Sequence, residues 1–246
     1  MTFVLIALIF SSAAGLVLVW VSVRPLILNS QQNQQLSSEI ISSQESSVEE
    51  EISGNYFFLT VVNRSNPVPE GFFVNPVTFD GVVVNGSMQE DLSQMMEDAK
   101  SAGLNLTITQ GYIGKEEQEE LYWQKVEELK AQGMTPVKAE SEAQNYIERG
   151  GYSEFQTGLA LIFQSGDGEI SFEQSKEYQW LIVHGVDYGF VLRYPANKEN
   201  ITNVSFRADQ FRYVGKENAK KMRELAMCLE EYSQYIEEQS KNISNS

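Results

Sequence analysis

Apolar side chains recur along the chain at spacings that predict several amphipathic helices and a few short strands. Residues 88–102 place apolar side chains three and four positions apart, and Gly103 fits the C-terminal stop, so this stretch is predicted as a helix. Further helices are predicted from about 113 to 132, 136 to 148, 171 to 188 and 216 to 238, and strands at 57–62, 104–109, 157–163 and 190–194. Because these elements do not alternate as βαβ units, the expected class is α+β.

The N-terminal segment has a different pattern. Residues 2–23 carry no charged side chain, and about twenty such residues span a bilayer core of ~30 Å as a helix. Residues 1–28 are therefore predicted to be a transmembrane anchor. A cleaved signal peptide is the main alternative, although the charged n-region is absent and the apolar run exceeds the usual length of about 7 to 15 residues. Arg24, just after the segment, mildly favours a cytoplasmic C-terminus, so the pattern leaves the orientation open.

The rest of the chain divides by composition. Residues 29–54 are rich in Ser, Gln and Glu and contain no aromatic side chain, which is typical of a flexible linker. Residues 55–238 have the apolar content of one globular domain, and residues 239–246 are left as a tail. The expected organisation is one domain with appendages.

Charge and residue counts exclude several functions. The formal net charge of -16 repels phosphate backbones, so nucleic-acid binding is not expected. The single cysteine, Cys228, excludes an internal disulfide and any CxxC site, and its place in an apolar helical stripe favours a buried core residue over a reactive thiol. The single histidine, His184, excludes a zinc site with two histidines and an H-E-x-x-H helix.

Four segments, in order, carry a family resemblance. They are Gln110-Gly111-Tyr112-Ile113-Gly114, Ser153 to Ile162 (SEFQTGLALI), Tyr188 to Pro195 (YGFVLRYP) and Arg207 to Gly215 (RADQFRYVG). They resemble the VanY-type zinc D-alanyl-D-alanine carboxypeptidases, with motifs S-G-Y-R-S, S-E-H-Q-T-G-L-A-V-D and E-P-W-H-F-R-Y-V-G, over about residues 56 to 235. The resemblance implies a small central antiparallel sheet flanked by helices.

The resemblance also implies where a zinc site would lie, and this chain departs from it at every such position. The zinc-ligand slots hold Phe155, Ile162 and Gln210, the slot of the general base holds Arg207, and the arginine expected to hold the substrate carboxylate is Ile113. Phenylalanine and isoleucine offer no lone pair, a neutral amide is a poor zinc ligand, and a guanidinium stays protonated and cannot accept a proton from water. Zinc, the cofactor expected of the family, is therefore predicted to be absent.

Other residues could in principle rebuild a site. Asp209, Glu154, Asp167 and His184 are the available donors, but the resemblance places His184 on the helix before the Tyr-Gly-Phe turn, away from the metal loops. A Ser-His-Asp relay through Ser153 is not favoured, because no G-x-S-x-G turn surrounds this serine.

Three hypotheses for the function follow. In the first, the chain is an inactive wall-associated homologue whose cleft binds a peptidoglycan stem peptide through Arg207, unless that side chain faces solvent or pairs with Asp209. In the second, its surface recruits another cell-wall or membrane protein. The alternative is an active metallo-carboxypeptidase with an altered site. A single-pass location in the cell membrane, with the domain outside the cytoplasm, is expected chiefly from the resemblance. The candidate cleft residues are Tyr112, Gln118, Ser153, Thr157, Arg193 and Arg207.

Overall fold

Two antiparallel sheets organise the part of the chain, residues 57–166 and 170–244, that the computed structural model describes. Strands β1 (Pro76–Phe79) and β2 (Val82–Asn85) form a hairpin. Strands β3 (Leu106–Gln110), β4 (Ala160–Ser165), β5 (Phe190–Tyr194) and β6 (Arg207–Tyr213) form a four-stranded sheet in the order β3-β4-β6-β5. All neighbours are antiparallel, so the α+β class and the antiparallel sheet flanked by helices are confirmed.

Helices cover the sheet and extend from it. They are α1 (Gln89–Ser101), α2 (Lys115–Ala131), α3 (Pro136–Ala143), α4 (Lys176–His184), α5 (Glu199–Thr202), α6 (Lys216–Leu225) and α7 (Leu229–Ser244). Within the described residues, no helix is both long and apolar enough to cross a membrane. The predicted anchor at 1–28 and linker at 29–54 lie outside these residues and stay predictions.

The main core lies between α1 and the sheet. Leu92 and Met95 of α1 are fully buried against a cluster that includes Leu161 and Phe163 of β4 and Phe211 of β6. Burial of each such side chain stabilises the fold by about 1.5–3 kcal/mol. The apolar spacing that predicted a helix at 88–102 is thus the face that α1 packs on the sheet.

The strand predicted at 57–62 is wrong. Phe57 and Phe58 lie in a helical turn, and the next residues form no strand. Leu59 and Val62 are both buried, and Leu59 belongs to a second apolar cluster with Val214 and Leu229. Alternation in a strand would have placed these two side chains on opposite faces, whereas both are buried here.

The single helix predicted at 216–238 is also wrong, because α6 and α7 are separate. Ala226 adopts a left-handed conformation with φ 52°, which ends α6. Cys228 then donates its backbone N–H to the Glu231 carboxylate at 2.9 Å, as the backbone of an N-cap residue does in a capping box. Helix α7 continues to Ser244, so most of the predicted tail at 239–246 is helical. Cys228 lies at this break, buried as expected.

The helix predicted at 171–188 is shorter at both ends. A 3-10 turn at Phe172–Gln174 precedes α4, and Ser175 caps α4 by accepting a hydrogen bond from Tyr178 N–H at 3.0 Å. A second 3-10 turn at Gly185–Tyr188 follows. A serine side chain competes with the helix backbone for hydrogen bonds, which explains why α4 begins only after Ser175.

Candidate functional site

The fold brings together the five positions at which the chain departs from the zinc-site motif. In the β4–β6 ladder Ile162 lies directly opposite Gln210, so both side chains emerge on one face of the sheet. Phe155 lies in a 3-10 turn (Glu154–Thr157) that ends where Gly158 takes φ 65°. Ile113 N–H donates to the Phe155 carbonyl at 3.3 Å. The four motif segments therefore converge on one place, although each comes from a different part of the chain.

A cleft of about 290 Å³ opens beside these residues. Its walls come from the turn at 63–66, the end of α5 with the two residues after it (201–204), and the 3-10 turn that carries Phe155. Phe155 and Gln210, which hold two of the ligand slots, both line it, together with Ser153, Tyr194 and Glu148. The cleft is thus still open although a phenylalanine ring occupies a ligand position.

Arg207 contributes positive charge next to the cleft. Its Nη1 donates to Gln210 Oε1 at 3.1 Å, and its guanidinium carbon lies 5.6 Å from the centre of the Tyr194 ring. Among the described residues, no carboxylate oxygen lies within the 4.0 Å of an ion pair with Arg207, so the Asp209 partner considered from the sequence is not found. Burial raises the pKa of Tyr194 above its ordinary value, so the ring beneath Arg207 is a neutral phenol at physiological pH.

Two buried polar atoms add capacity for hydrogen bonds. Ser153 belongs to the wall of the cleft, and its hydroxyl is fully buried and has no hydrogen-bond partner within the described residues. Gln118 Oε1 is likewise buried without a hydrogen-bond partner among the described residues, and its side-chain amide donates to the Glu148 carbonyl at 2.7 Å, but Gln118 does not line the cleft. A buried polar group without a partner costs roughly 1–3 kcal/mol, a cost that a ligand could relieve.

The structure places the other candidate cleft residues differently. Thr157 is fully buried, donates to the Glu154 carbonyl at 2.7 Å and accepts from Leu159 N–H at 3.1 Å, so its hydroxyl holds the turn instead of facing the cleft. Tyr112 is half-buried and donates its backbone N–H to the Val83 carbonyl at 2.6 Å. Neither residue lines the cleft.

Arg193, the remaining candidate, belongs to a buried ion cluster behind the cleft. Its Nε donates to both oxygens of Glu154 at 2.8 and 2.9 Å, and its two terminal nitrogens donate to Glu230 of α7 at 3.0 and 2.6 Å. Arg212 of β6 donates to Glu154 Oε1 at 2.5 Å and to the carbonyls of Phe58 and Thr60. Two arginines and two glutamates compensate each other here, so Arg193 is a structural residue.

The sequence analysis missed this cluster, yet a signal was present. Arg193 and Arg212 stand in strands whose other residues are mostly buried, and arginine is seldom fully buried without a charged partner. Two such arginines therefore require buried acids. The sequence alone did not identify Glu154 and Glu230 as those acids, because they come from a turn and from a distant helix.

The residues present do not fit a zinc ion. Of the three ligand slots only Gln210 has a donor oxygen, and that oxygen already accepts from Arg207. The nearby Glu154 carboxylate is held by two guanidinium groups. Among residues 57–166 and 170–244, no group of three or more His, Cys, Asp or Glu side chains is arranged to hold a metal ion. A protonated guanidinium next to the site would also repel a divalent cation.

The remaining donors considered from the sequence lie elsewhere. His184 packs against Trp180, with ring centres 5.0 Å apart, at the end of α4. Asp167 lies outside the described residues. Glu154 is committed to the ion cluster, and Asp209 is a half-buried residue of β6.

Comparison with known proteins identifies the class to which this fold and site belong. The VanY D-alanyl-D-alanine carboxypeptidase family model matches residues 82–216, more than half of the chain. The chain belongs to this family.

Individual relatives agree with the family assignment. A D-alanyl-D-alanine carboxypeptidase of Enterococcus faecalis is 35% identical over 175 residues, which cover 71% of this chain and 65% of the relative. One of Enterococcus faecium is 30% identical over 164 residues, covering 66% of this chain and 48% of the relative. The chain thus spans less than two thirds of the length of these curated relatives.

Solved structures show the same similarity. VanYB in complex with D-alanine-D-alanine superposes with a TM-score of 0.64 at 33% identity, covering 72% of this chain and 97% of that one. A zinc-bound vancomycin resistance D,D-pentapeptidase VanY gives the same TM-score and identity, with 72% and 98% covered. The structure of the LD-carboxypeptidase LdcB, which was solved to explain peptidoglycan recognition, superposes with a TM-score of 0.63 at 27% identity. The match covers 73% of this chain and 87% of LdcB.

Proposed function

We propose that this chain is a membrane-anchored, catalytically inactive VanY-family protein that binds the C-terminal end of a peptidoglycan stem peptide outside the cytoplasm and does not cleave it. The observation that carries the proposal is Arg207, a half-buried guanidinium beside an open cleft that pairs with a neutral amide and with no described carboxylate. Arginine recognises carboxylates through paired hydrogen bonds.

The chemistry of the site argues against hydrolysis. Zinc-dependent peptidases need a metal to acidify the attacking water and to polarise the carbonyl, and they need a base to accept the proton. The ligand slots offer one amide oxygen, and the slot of the base holds a permanently protonated side chain. An active metallo-carboxypeptidase would therefore require ligands from outside this constellation.

Several features support binding. Arg207 donates through one nitrogen to Gln210, which leaves donors on the rest of the guanidinium for an incoming carboxylate. Ser153 in the cleft wall has an unpaired hydroxyl, which a ligand would reach after a small shift of the wall. The Phe155 ring offers an apolar wall for a small side chain next to the carboxylate. A structural neighbour binds D-alanine-D-alanine, a ligand with this combination of groups.

The first experiment tests catalysis. The full-length protein is incubated with excess zinc and a pentapeptide that ends in D-Ala-D-Ala, and bound metal and released D-alanine are measured. We expect no stoichiometric zinc and no release. Stoichiometric zinc together with release that a chelator abolishes would establish the active alternative.

The second experiment tests the carboxylate contact. A charge-assisted hydrogen bond contributes about 1.5–3 kcal/mol, so Arg207→Ala is expected to weaken binding of the same peptide by about tenfold to a hundredfold in calorimetry. The native protein should bind a peptide with a C-terminal carboxamide more weakly than the free acid, by a similar factor. The Arg207→Ala variant should bind the two peptides with nearly equal affinity. Arg223→Ala is the matched control, because it removes an exposed arginine whose partners, Val183 and Asp187, do not line the cleft, whereas Arg207 binds the lining residue Gln210. Unchanged affinity of Arg207→Ala would refute the contact.

A further inference from the structure

A second depression runs along the exposed face of α2, on the other side of the loop at 148–150 from the cleft. It is an open groove of about 1060 Å³, larger than the roughly 300–1,000 Å³ typical of small-molecule pockets. Trp123, at 40% exposure one of the exposed large apolar residues of the described chain, lines it together with Gln124. A groove of this size and openness suits an extended chain better than a single small molecule.

The Trp123 ring is held in a fixed orientation. Its Nε1 donates to Glu119 Oε1 at 3.0 Å, and its ring meets that of Tyr122 edge-on at 5.3 Å. Glu119 also binds Arg149 and accepts from Gly150 N–H at 2.9 Å, and the hydrogen bond from Arg149 lowers the pKa of this carboxyl. One carboxylate thus fixes both the aromatic ring and the opposite wall of the groove, so the ring forms a preorganised flat surface.

The charge of the groove disfavours an anionic ligand. Arg149 is compensated by Glu119, and Glu127 by Lys130. This leaves Lys115 against Glu116 and Glu120, none of which has a side-chain hydrogen bond or ion pair recorded within residues 57–166 and 170–244. The groove therefore offers ammonium and amide donors next to carboxylate and amide acceptors, and its four glutamates outnumber its two cations, Lys115 and Arg149.

A sugar chain matches this combination. Sugar hydroxyls both donate and accept hydrogen bonds, and the apolar C–H face of a sugar ring packs on an aromatic ring. A phosphorylated polymer would meet Glu116 and Glu120, and a basic peptide would meet the Arg149 guanidinium, which lies 5.4 Å from the centre of the Trp123 ring.

The groove and the cleft lie on either side of one short stretch of chain, residues 148–150. Glu148 lines the cleft, whereas Arg149 and Gly150 line the groove. Consecutive Cα atoms are about 3.8 Å apart, so residues 148 and 150 are separated by at most about 8 Å. Two neighbouring residues of α2 fix this stretch of chain. The Gln118 side chain donates to the Glu148 carbonyl beside the cleft, and the Glu119 carboxylate accepts from the Gly150 N–H beside the groove.

We propose that this groove binds the neutral amino-sugar glycan of the polymer whose peptide enters the cleft. The inference rests on the proposed function, since it assigns the glycan and the peptide of one polymer to adjacent parts of the domain. Trp123 supplies the stacking surface, and Glu120 and Gln124 are placed to exchange hydrogen bonds with ring substituents.

The test uses a peptide-free tetramer of β-1,4-linked N-acetylglucosamine and the full-length protein. Trp123→Ala is expected to weaken binding by at least about tenfold, because the ring buries its apolar face on the sugar. Trp123→Phe should retain part of the affinity. Phe73→Ala, which removes a more exposed aromatic side chain that does not line the groove, should leave it unchanged. In the native protein, binding of the tetramer should change the tryptophan fluorescence emission, and Trp123→Phe should abolish that change. This readout does not depend on the folding of the alanine variant.

The outcomes separate this inference from the proposed function. Arg207→Ala should weaken binding of the stem pentapeptide and leave tetramer binding intact, and Trp123→Ala should do the reverse. Failure of the tetramer to bind, or equal binding by Trp123→Ala, overturns the glycan site even if the peptide binds. Trp123-dependent binding of oligolysine without binding of the tetramer would identify a basic peptide as the occupant and also overturn it. Tetramer binding without peptide binding would refute the proposed function alone.

Discussion

Replacement of Glu154 by glutamine is expected to destabilise the domain severely. The carboxylate of Glu154 is 2% exposed and accepts from Arg193 at 2.8 and 2.9 Å and from Arg212 at 2.5 Å. Glutamine keeps the shape but removes the charge, and its NH₂ group faces a guanidinium that also only donates. Arg193 would retain the charge of Glu230, whereas Arg212 would retain only neutral acceptors, which are backbone carbonyls and the amide oxygen of the new glutamine.

The magnitude follows from the contacts. Three charge-assisted hydrogen bonds at about 1.5–3 kcal/mol each give a gross loss of roughly 4.5–9 kcal/mol. Part of this is offset, because the charged carboxylate no longer has to be held away from water. Removal of one partner from a buried ion pair typically costs about 3–5 kcal/mol, and we expect a loss in that range. A typical domain is stable by about 5–15 kcal/mol, so the variant would be marginal.

Urea unfolding followed by circular dichroism measures the effect. The midpoint should fall strongly while the slope stays constant. Glu128→Gln is the matched control, because it removes a carboxylate that is paired with Lys125 on the surface, where side chains are 20% and 54% exposed. Such pairs contribute about 0.2–1 kcal/mol. If Glu154→Gln cost no more than Glu128→Gln, the ion cluster would not be the stabilising element described above.

Three further predictions concern pH, packing and reactivity. Burial alone would raise the pKa of Glu230, but the Arg193 charge and hydrogen bonds outweigh it and lower the pKa below 4.5. The resulting stability is present above that value and lost as the pH falls below it, so Glu230→Gln should flatten the acid limb of a thermal melting profile. Gly111→Ala should cost about 1–3 kcal/mol in urea unfolding, because the added Cβ would lie 2.3 Å from the Val83 carbonyl oxygen. Burial raises the pKa of the Cys228 thiol to about 11, so Ellman's reagent at pH 8 should label it slowly until denaturant is added.

Sequence periodicity predicted helices and strands well where one face of the element is buried. It predicted them poorly where turn residues or tertiary contacts determine the local structure. Helix α1 and strand β5 were predicted within one residue at each end, since their apolar positions form the core. The β1–β2 hairpin was missed although Asp80-Gly81, with φ of 47° and 83°, is a strong turn signal. The break at Ala226 could not be predicted, because alanine seldom adopts a left-handed conformation and the cap at Cys228 is needed to define it.

The candidate site was predictable to the extent that motif positions are adjacent in space. Ile113, Phe155, Ile162, Arg207 and Gln210 do converge, through the ladder between β4 and β6 and the turn that carries Phe155. Which side chains face the cleft was not predictable, since that depends on local hydrogen bonds. The Thr157 hydroxyl, for example, is used within its own turn.

The contact between Arg212 and the carbonyls of Phe58 and Thr60 has a mechanical consequence. Strand β6 lies inside the sheet, between β4 and β5. The first described residues of the chain are therefore hydrogen-bonded, through the buried Arg212 side chain, to an inner strand and not to an edge strand of the sheet. A force applied upstream of Phe57 is therefore expected to act on an inner strand of the sheet before it acts on an edge strand.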